Sequence, residues 1–186
     1  IMKAHRETQI TCSLKNMKGP MPRRMNTAFH GRDLDTAIAQ LHSVVKPNFT
    51  LVDGTYGDLT SELGSNPLEI GIMLAGFDPI AVDCVVAEFL GFSPYDLTHL
   101  AKSLPIRKID PSRITVEYLN SPEKEMSFTV DTRYKNRYPC RITDEGVCCT
   151  CRSNLLFALE RLYAMRKLSG KQHFIIGQKG RASKTN

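Results

Sequence analysis

The amino-acid sequence predicts an α/β fold, namely a layered sandwich with a mixed, partly parallel sheet and a C-terminal cysteine-containing helical segment. Short apolar strands alternate with helical patterns over the first two-thirds of the 186 residues, an order typical of α/β layers. This alternation stops in the last third of the chain. Four of the six cysteines lie there, between positions 140 and 151.

The first helix and the first long strand are predicted between residues 33 and 54. Apolar residues recur at helical spacing from position 33 to 45, and Asp33 is a suitable N-cap. Pro47 ends the helix, because proline cannot continue the backbone hydrogen bonds. "FTLVDG" then has the pattern of a short buried strand, with Asp53 at its exit.

A second strand and a second helix follow directly. "EIGIMLAG" has the β-branched, apolar character of a buried strand. In "FDPIAVDCVVAEFLGF", Asp78 is the expected N-cap, Pro79 the first helical residue and Gly91 the exit signal. A further helix is predicted over "SPYDLTHLAKSL", with Ser93 as its cap.

The pattern changes after Pro105. "RITVEYL" and "EMSFTV" alternate like strands around the turn residues "NSPEK", which predicts a hairpin. Residues 131–150 have no clean period and are expected to form a linker or a site loop. A helix is predicted from about 153 to 168, and "HFIIG" as an edge strand. We therefore expect an α/β domain over 1–130, and a cysteine-rich loop, helix and basic tail over 131–186 packed on it.

Composition limits the classes of function. With 41% hydrophobic and 24% charged residues, the chain is expected to be a soluble globular protein. Its longest apolar runs are well short of the roughly 20 residues that a membrane-spanning helix needs. No secretory signal is visible, so a cytoplasmic location is expected. An opening Ile before Met suggests that an N-terminal portion has been trimmed.

The formal charge of +6 permits an anionic partner. Nucleic acid is not expected, because tryptophan is absent and the aromatic residues show no stacking pattern. The expected partners are a small anionic ligand or a redox partner protein.

The cysteine cluster suggests a metal centre. Two of its members are three positions apart, as in a C-x-x-C pair, and thiolates near a helix N-terminus gain from the helix dipole. A zinc ion or an iron–sulfur cluster is therefore the candidate cofactor, with four candidate ligands: Cys140, Cys148, Cys149 and Cys151. Neither the ferredoxin nor the zinc-ribbon spacing is complete. Redox-active thiols and simple buried thiols are the alternatives.

A second group of polar residues begins the chain. "KAHRETQITCSLKNMKG" is polar in a way that core packing does not require, and alternation on a strand would point Lys3 and His5 to the same face. A lysine and a histidine together can bind an anion, or the histidine can coordinate a metal. Asp53 lies at the end of a strand, where ligand clefts of α/β sheets occur.

The order of several segments resembles domain-of-unknown-function family number 362. The segments are "KAH", "ITCSLKNMKG", His30, "LVDGTYG" and "LAGFDPIAVDCVVAEFLGF", and the resemblance covers residues 1 to about 120. Many members of this family also carry an iron–sulfur module, and their biochemical activity is undefined. The resemblance implies a polar site with candidate catalytic residues Lys3, His5, Lys15, His30 and Asp53, and candidate cofactor-binding residues Asn16 and Asp83.

Two functions follow from these patterns. The first is a metal-binding or iron–sulfur protein with a redox or accessory role, in which the cysteines hold the centre. The alternative is an enzyme that acts on a small anionic substrate through a Lys/His/Asp site. No set of nucleophile, base and orienting residue can be identified in the sequence, so it assigns no reaction.

Overall fold

The computed structural model describes residues 2–5, 7–30, 33–60, 67–120, 128, 130, 138–144, 147 and 149–177. The strands are β1 (Lys3–His5), β2 (Gln9–Thr11), β3 (Thr50–Gly57), β4 (Leu68–Gly76), β5 (Arg141–Asp144) and β6 (His173–Ile176). The helices are α1 (Ser13–Asn16), α2 (Arg23–His30), α3 (Leu34–Val44), α4 (Pro79–Phe89), α5 (Thr98–Arg107) and α6 (Cys149–Ala164). A 3₁₀ turn spans Pro111–Arg113.

The described strands pair in three two-stranded sheets, which confirms the mixed α/β class. β1 pairs with β2 and β3 pairs with β4, both antiparallel, whereas β5 and β6 are parallel. The parallel pairing therefore lies in the C-terminal part of the chain. The described strands of the first two-thirds are antiparallel, because each pair joins strands that follow one another in the chain, and an antiparallel pair needs no long crossover connection.

β1 also lies against β3. The backbone N–H of Met2 donates to the carbonyl of Asp53 at 3.4 Å, and that of Ala4 donates to the carbonyl of Asp58 at 2.7 Å. Gly57 permits this approach, because a Cβ atom at that position would lie 2.5 Å from the carbonyl oxygen of Met2. Two backbone hydrogen bonds thus connect the first sheet to the second and fix the position of the N-terminal strand.

Helix α4 begins and ends as predicted. The Asp78 carboxylate accepts hydrogen bonds from the backbone N–H groups of Ile80 and Ala81, and Pro79 is the first helical residue. Gly91 has a φ of 80°, the left-handed conformation that favours glycine after a helix. Ile80 and Val86 are completely buried in the main apolar core, which also includes residues of α1, α3, α5 and the first four strands.

Two predictions for residues 93–119 are wrong. The helix expected from Ser93 begins at Thr98, because Ser93 and Asp96 form a separate turn in which the Ser93 N–H donates to the Asp96 carboxylate. The strand expected over "RITVEYL" is absent. Residues 114–118 have no regular structure, and Tyr118 and Leu119 are exposed. The alternating apolar side chains of this segment therefore do not form a buried strand face. Its expected partner, "EMSFTV", lies largely outside the described residues.

The C-terminal part has its own small core. Tyr138, Leu156 and Leu159 are buried together, and partly buried side chains of Cys140, Ile142, Leu155, Leu168 and Phe174 pack against them. The helix is confirmed but runs over 149–164 rather than 153–168, and "HFIIG" is confirmed as a strand. A strand, β5, occupies part of the segment expected to be a loop, because β6 supplies its backbone partners. The boundary at residue 130 stays a prediction.

Candidate anion-binding site

The first sheet places polar side chains on one face. In the antiparallel register Lys3 is opposite Thr11 and His5 is opposite Gln9, and directly opposed residues of such a pair project to the same side. Ala4 and Ile10 project to the other side and are buried in the core. The face formed by β1 and β2 therefore carries a lysine, a histidine, a glutamine and a threonine.

Helix α1 adds a second lysine to this face. It begins two residues after β2, and its Lys15 ammonium donates a hydrogen bond to Thr11 Oγ1 at 3.2 Å. The structure thus brings together Lys3, His5 and Lys15, three of the five residues predicted to be catalytic. We call the set of Lys3, His5, Gln9, Thr11 and Lys15 the polar face.

The ring of His5 has a defined orientation. Its Nδ1 atom accepts hydrogen bonds from the backbone N–H groups of Glu7 and Thr8, each at 3.1 Å. An Nδ1 atom that accepts two N–H donors has no proton of its own, so the neutral ring carries its proton on Nε2. His5 is therefore arranged to donate a hydrogen bond through Nε2, and its Nδ1 atom is occupied by the turn between β1 and β2.

Helix α1 is held from α4 by Asp83. This completely buried carboxylate accepts from the N–H of Ser13 through Oδ1 at 2.8 Å and from the N–H of Leu14 through Oδ2 at 2.9 Å. Burial raises the pKa of Asp83 to about 6, and the hydrogen bonds from the α1 backbone oppose that rise. Asp83, predicted to bind a cofactor, contacts the backbone that carries Lys15.

His42 holds the same turn from α3. Its Nε2 atom lies 2.9 Å from the carbonyl oxygen of Leu14, so Nε2 carries a proton and donates. Burial lowers the pKa of His42, because the charged imidazolium is disfavoured away from water. Leu14 is consequently fixed through its N–H by Asp83 and through its carbonyl by His42.

The remaining predicted residues lie apart from these contacts or are only partly described. Asp53 is exposed on β3, and its carboxylate accepts from the N–H of Thr55 at 2.9 Å, which lowers the pKa of that carboxyl. Asn16 is exposed at the end of α1, next to Lys15. His30 ends α2, and its side chain is outside the described part of the structure. The roles assigned to these residues stay predictions.

Two of the four candidate metal ligands can be placed with their side chains. Cys140 precedes β5 and is partly buried against the small C-terminal core, and burial raises the pKa of its thiol. Cys151 is exposed in the first turn of α6, where Cys149 is the first residue. The described side chains include no group of three or more metal-ligating residues. Cys148 and the side chain of Cys149 lie outside them, so the four-cysteine set stays a prediction.

The net charge of the chain is concentrated in its N-terminal 32 residues. Residues 1–32 contain seven lysines and arginines and a single acidic residue, Glu7, which gives a net charge of +6. Residues 33–186 contain 18 basic and 18 acidic residues and are formally neutral. The segment that forms β1, β2, α1 and α2 therefore carries the whole net charge, and its electrostatic field attracts anions toward this part of the molecule.

His42 is a part of this arrangement that was not predicted from the sequence. The sequence does indicate that His42 is buried, because it is four residues after the buried Ile38 and so lies on the apolar side of α3. A histidine on an apolar helix face needs a hydrogen-bonding partner. The sequence does not indicate that the partner is a carbonyl of α1.

Comparisons with known proteins find a family match in the N-terminal part of the chain. Residues 1–88 match the model of the family described as "Domain of unknown function (DUF362)", which confirms the resemblance over that segment. The matched segment ends within α4 and includes every residue of the polar face.

One curated relative is the "Thylakoid-associated protein sll1697" of Synechocystis sp. (strain ATCC 27184 / PCC 6803 / Kazusa), 23% identical over 107 residues. The match covers 54% of this chain and 33% of that protein, so the chain spans about a third of its relative's length. No solved structure matches the chain. Among the described residues, none of the helices has the length and apolar character required to cross a membrane.

Proposed function

We propose that the protein binds a small anionic ligand on the polar face. The observation that carries this proposal is the placement of Lys3, His5 and Lys15 on one side of the first sheet, around Thr11. Two ammonium groups, an imidazole N–H and a hydroxyl are all hydrogen-bond donors, and together they match the lone pairs of a carboxylate or phosphate.

Burial and charge support the same ligand class. Lys3, His5 and Lys15 are each partly buried, so a bound anion would be shielded from solvent more than at an exposed lysine. The net charge of residues 1–32 adds a long-range attraction.

The arrangement of His5 favours binding over proton abstraction at this atom. Since Nδ1 accepts from two backbone N–H groups, the neutral ring presents a protonated Nε2 to the ligand. Such a group donates a hydrogen bond to an anionic oxygen. Any enzymatic reaction at the site would therefore use His5 as a donor that polarises the substrate.

Titration of the protein with inorganic phosphate and with acetate, followed by two-dimensional NMR, tests the proposal. We expect saturable shifts of the backbone amides of β1, β2 and α1. Lys15→Gln should weaken binding, whereas Lys46→Gln, which removes an exposed lysine elsewhere on the surface, should leave it unchanged. If neither anion produces saturable shifts at low salt, the proposal is wrong.

A metal or iron–sulfur centre at the cysteines is a second candidate function. Cys140 packs against the apolar cluster that includes Leu156 and Leu159 of α6, so the segment before β5 lies against the helix whose first turn carries Cys149 and Cys151. Cysteine thiolates are suitable ligands for zinc or for an iron–sulfur cluster. Cys149 and Cys151 are two positions apart in a helix, where residues do not share a face, so they are poorly placed to chelate as a pair.

Elemental analysis and a visible absorption spectrum of anaerobically purified protein test the second candidate. We expect stoichiometric zinc or iron, and a Cys140→Ser, Cys151→Ser double variant should lose it. A control variant, Cys84→Ala, changes a buried thiol of the main core and should keep the metal. Colourless, metal-free protein with an unchanged circular dichroism spectrum would contradict this candidate.

A further inference from the structure

The hairpin of β3 and β4 has one buried face and one exposed face. Val52 projects into the main core, and β4 lies so close to α4 that a Cβ atom at Gly76 would be 2.6 Å from Val82 Cγ2. Leu51 and Met73 project to the opposite side, where their side chains are 59% and 63% exposed. The hairpin therefore covers the core with one face and leaves the other in contact with solvent.

Apolar side chains occupy the exposed face. Leu51 is directly opposite Ala75, which is also exposed, and Met73 is two positions before Ala75 on the same strand face. One position beyond the paired residues, the rings of Phe49 and Phe77 contact each other edge to face with their centroids 5.7 Å apart, and they are 53% and 79% exposed. We call this set the outer face, which consists of Phe49, Leu51, Met73, Ala75 and Phe77.

The size of the outer face matches the apolar part of a protein–protein interface. The exposed fractions of its four large side chains correspond to roughly 450 Å² of apolar surface. A standard interface buries about 800 Å² on each partner, and about 65% of this area is apolar when two copies of one chain associate. Two outer faces packed on each other would therefore supply most of the apolar area that a stable dimer needs.

The charges of the hairpin favour a second copy of the chain over a lipid surface. Asp53, which is opposite Met73, and Glu69 are the charged residues of β3 and β4, and both are acidic and exposed. Surfaces that bind membranes usually carry lysine or arginine beside their apolar side chains. When two hairpins pack with their strands antiparallel, the Phe49 end of one covers the Met73 end of the other. The two Asp53 carboxylates then lie at opposite ends of the interface.

We propose that the outer face is the contact surface of a symmetric homodimer, in which the outer faces of two copies pack on each other. A twofold axis makes such an interface self-complementary, because each copy presents the same surface to its partner. Two packed hairpins resemble the two layers of a β-sandwich, in which the inner faces of both sheets are apolar. The inference is independent of the anion site, which involves β1, β2 and α1.

Sedimentation velocity of the full chain at increasing protein concentration tests the inference. We expect a monomer–dimer equilibrium. Leu51→Lys and Met73→Lys should each raise the dimer dissociation constant at least about tenfold, because the interface would remove the added ammonium group from water. Met73→Leu keeps the apolar surface and should keep the dimer. Leu119→Lys changes an exposed leucine outside the hairpin and should leave the dissociation constant unchanged.

Four results would overturn the inference. The chain could stay monomeric at every concentration, or form a dimer that neither lysine variant weakens, in which case its interface lies elsewhere. A monomeric chain could sediment with vesicles of phosphatidylcholine and phosphatidylglycerol and lose this binding in Leu51→Lys, which would assign the outer face to a lipid surface. Finally, melting curves of the monomer could show a large loss of stability in both lysine variants, which would mean that the chain itself covers the outer face.

Discussion

The backbone N–H of Leu14 donates to Oδ2 of Asp83 at 2.9 Å, and this hydrogen bond joins α1 to α4 across 69 positions of sequence. The same carboxylate accepts from the N–H of Ser13, so one buried side chain fixes the start of the turn that carries Lys15. The cost is a carboxylate that is ionised at neutral pH without contact with water. The stability of the protein must therefore depend on pH.

The Asp83→Asn variant tests this dependence. The folded pKa of Asp83 is about 6 and the reference value is 3.8, so the folded state binds more protons than the unfolded state between these values. The free energy of unfolding consequently falls as pH rises through this window, by about 3 kcal/mol in total. Asn does not titrate, and it places an NH2 donor where one of the two Asp83 oxygens accepts a backbone N–H, so one of the two hydrogen bonds is lost. The free energy of unfolding of Asp83→Asn should fall furthest below the wild-type value near pH 4. This difference should be smaller at pH 7.5, because the wild type loses stability as pH rises and the variant does not.

Urea unfolding at several pH values, followed by circular dichroism, gives this comparison. An Asp96→Asn variant is a suitable control because it changes an exposed carboxylate in a turn. Its free energy of unfolding should vary with pH as that of the wild type does. Parallel profiles for wild type and Asp83→Asn would show that Asp83 has an unperturbed pKa.

His42 should contribute a pH dependence of opposite sign. Burial lowers its pKa below the reference value of 6.5, so the unfolded state binds the additional proton first and stability is lost as pH falls below about 6.5. His42→Gln keeps a donor near the Nε2 position and removes the titration, so it should flatten this acid loss. His42→Leu removes the donor to the Leu14 carbonyl and should cost about 1–3 kcal/mol at pH 8.

Unfolding curves of both variants between pH 5 and pH 8 are the measurement. The two buried groups have opposite pH dependences near pH 6, so the contribution of each is the difference between the wild-type profile and the profile of the variant that lacks it. An acid loss that persists in His42→Gln would assign it to another group.

A matched pair of substitutions at His5 separates its two ring nitrogens. In His5→Asn the amide oxygen takes the place of Nδ1 and can accept from Glu7 and Thr8, while the Nε2 donor is lost. In His5→Gln the amide nitrogen takes the place of Nε2, while the acceptor for the turn is lost. We expect His5→Asn to keep wild-type stability and weaken phosphate binding, and His5→Gln to lose about 1–2 kcal/mol of stability.

Thermal unfolding and phosphate titration of both variants check this expectation. If His5→Gln is as stable as wild type and His5→Asn binds phosphate as tightly as wild type, His5 is not part of the proposed site.

Gly57 should be intolerant of any side chain. A Cβ atom there would lie 2.5 Å from the Met2 carbonyl oxygen and 2.6 Å from Ile70 Cδ1, so Gly57→Ala must displace β1 or distort β3. Overpacking of this kind costs about 1–3 kcal/mol, and displacement of β1 should also weaken anion binding because Lys3 moves with it. In Gly170→Ala the nearest atom would be 3.5 Å away, so this control should behave like wild type. Equal melting temperatures for the two variants would contradict the close approach of β1 to β3.

The regular elements with complete local signals were predictable from sequence. The Asp78 cap, Pro79 and Gly91 define α4, and each acts through neighbours within one helical turn. β3 and β4 were also identified, because a run of apolar and β-branched residues is a property of the segment itself. The prediction of a strand over "RITVEYL" was wrong because an alternating pattern is also a property of the segment alone. It does not indicate whether a partner strand is present.

The candidate site divides in a similar way. The sequence by itself determined that Lys3 and His5 share a face and that the N-terminal 32 residues carry the net charge, because alternation along a strand and the count of charges are local properties. Only the tertiary structure decided that Asp83 and His42 hold Leu14 from two sides, across 69 and 28 positions. Hydrogen bonds between distant segments depend on how the helices pack, and a polar residue in the sequence does not specify which backbone group it will meet.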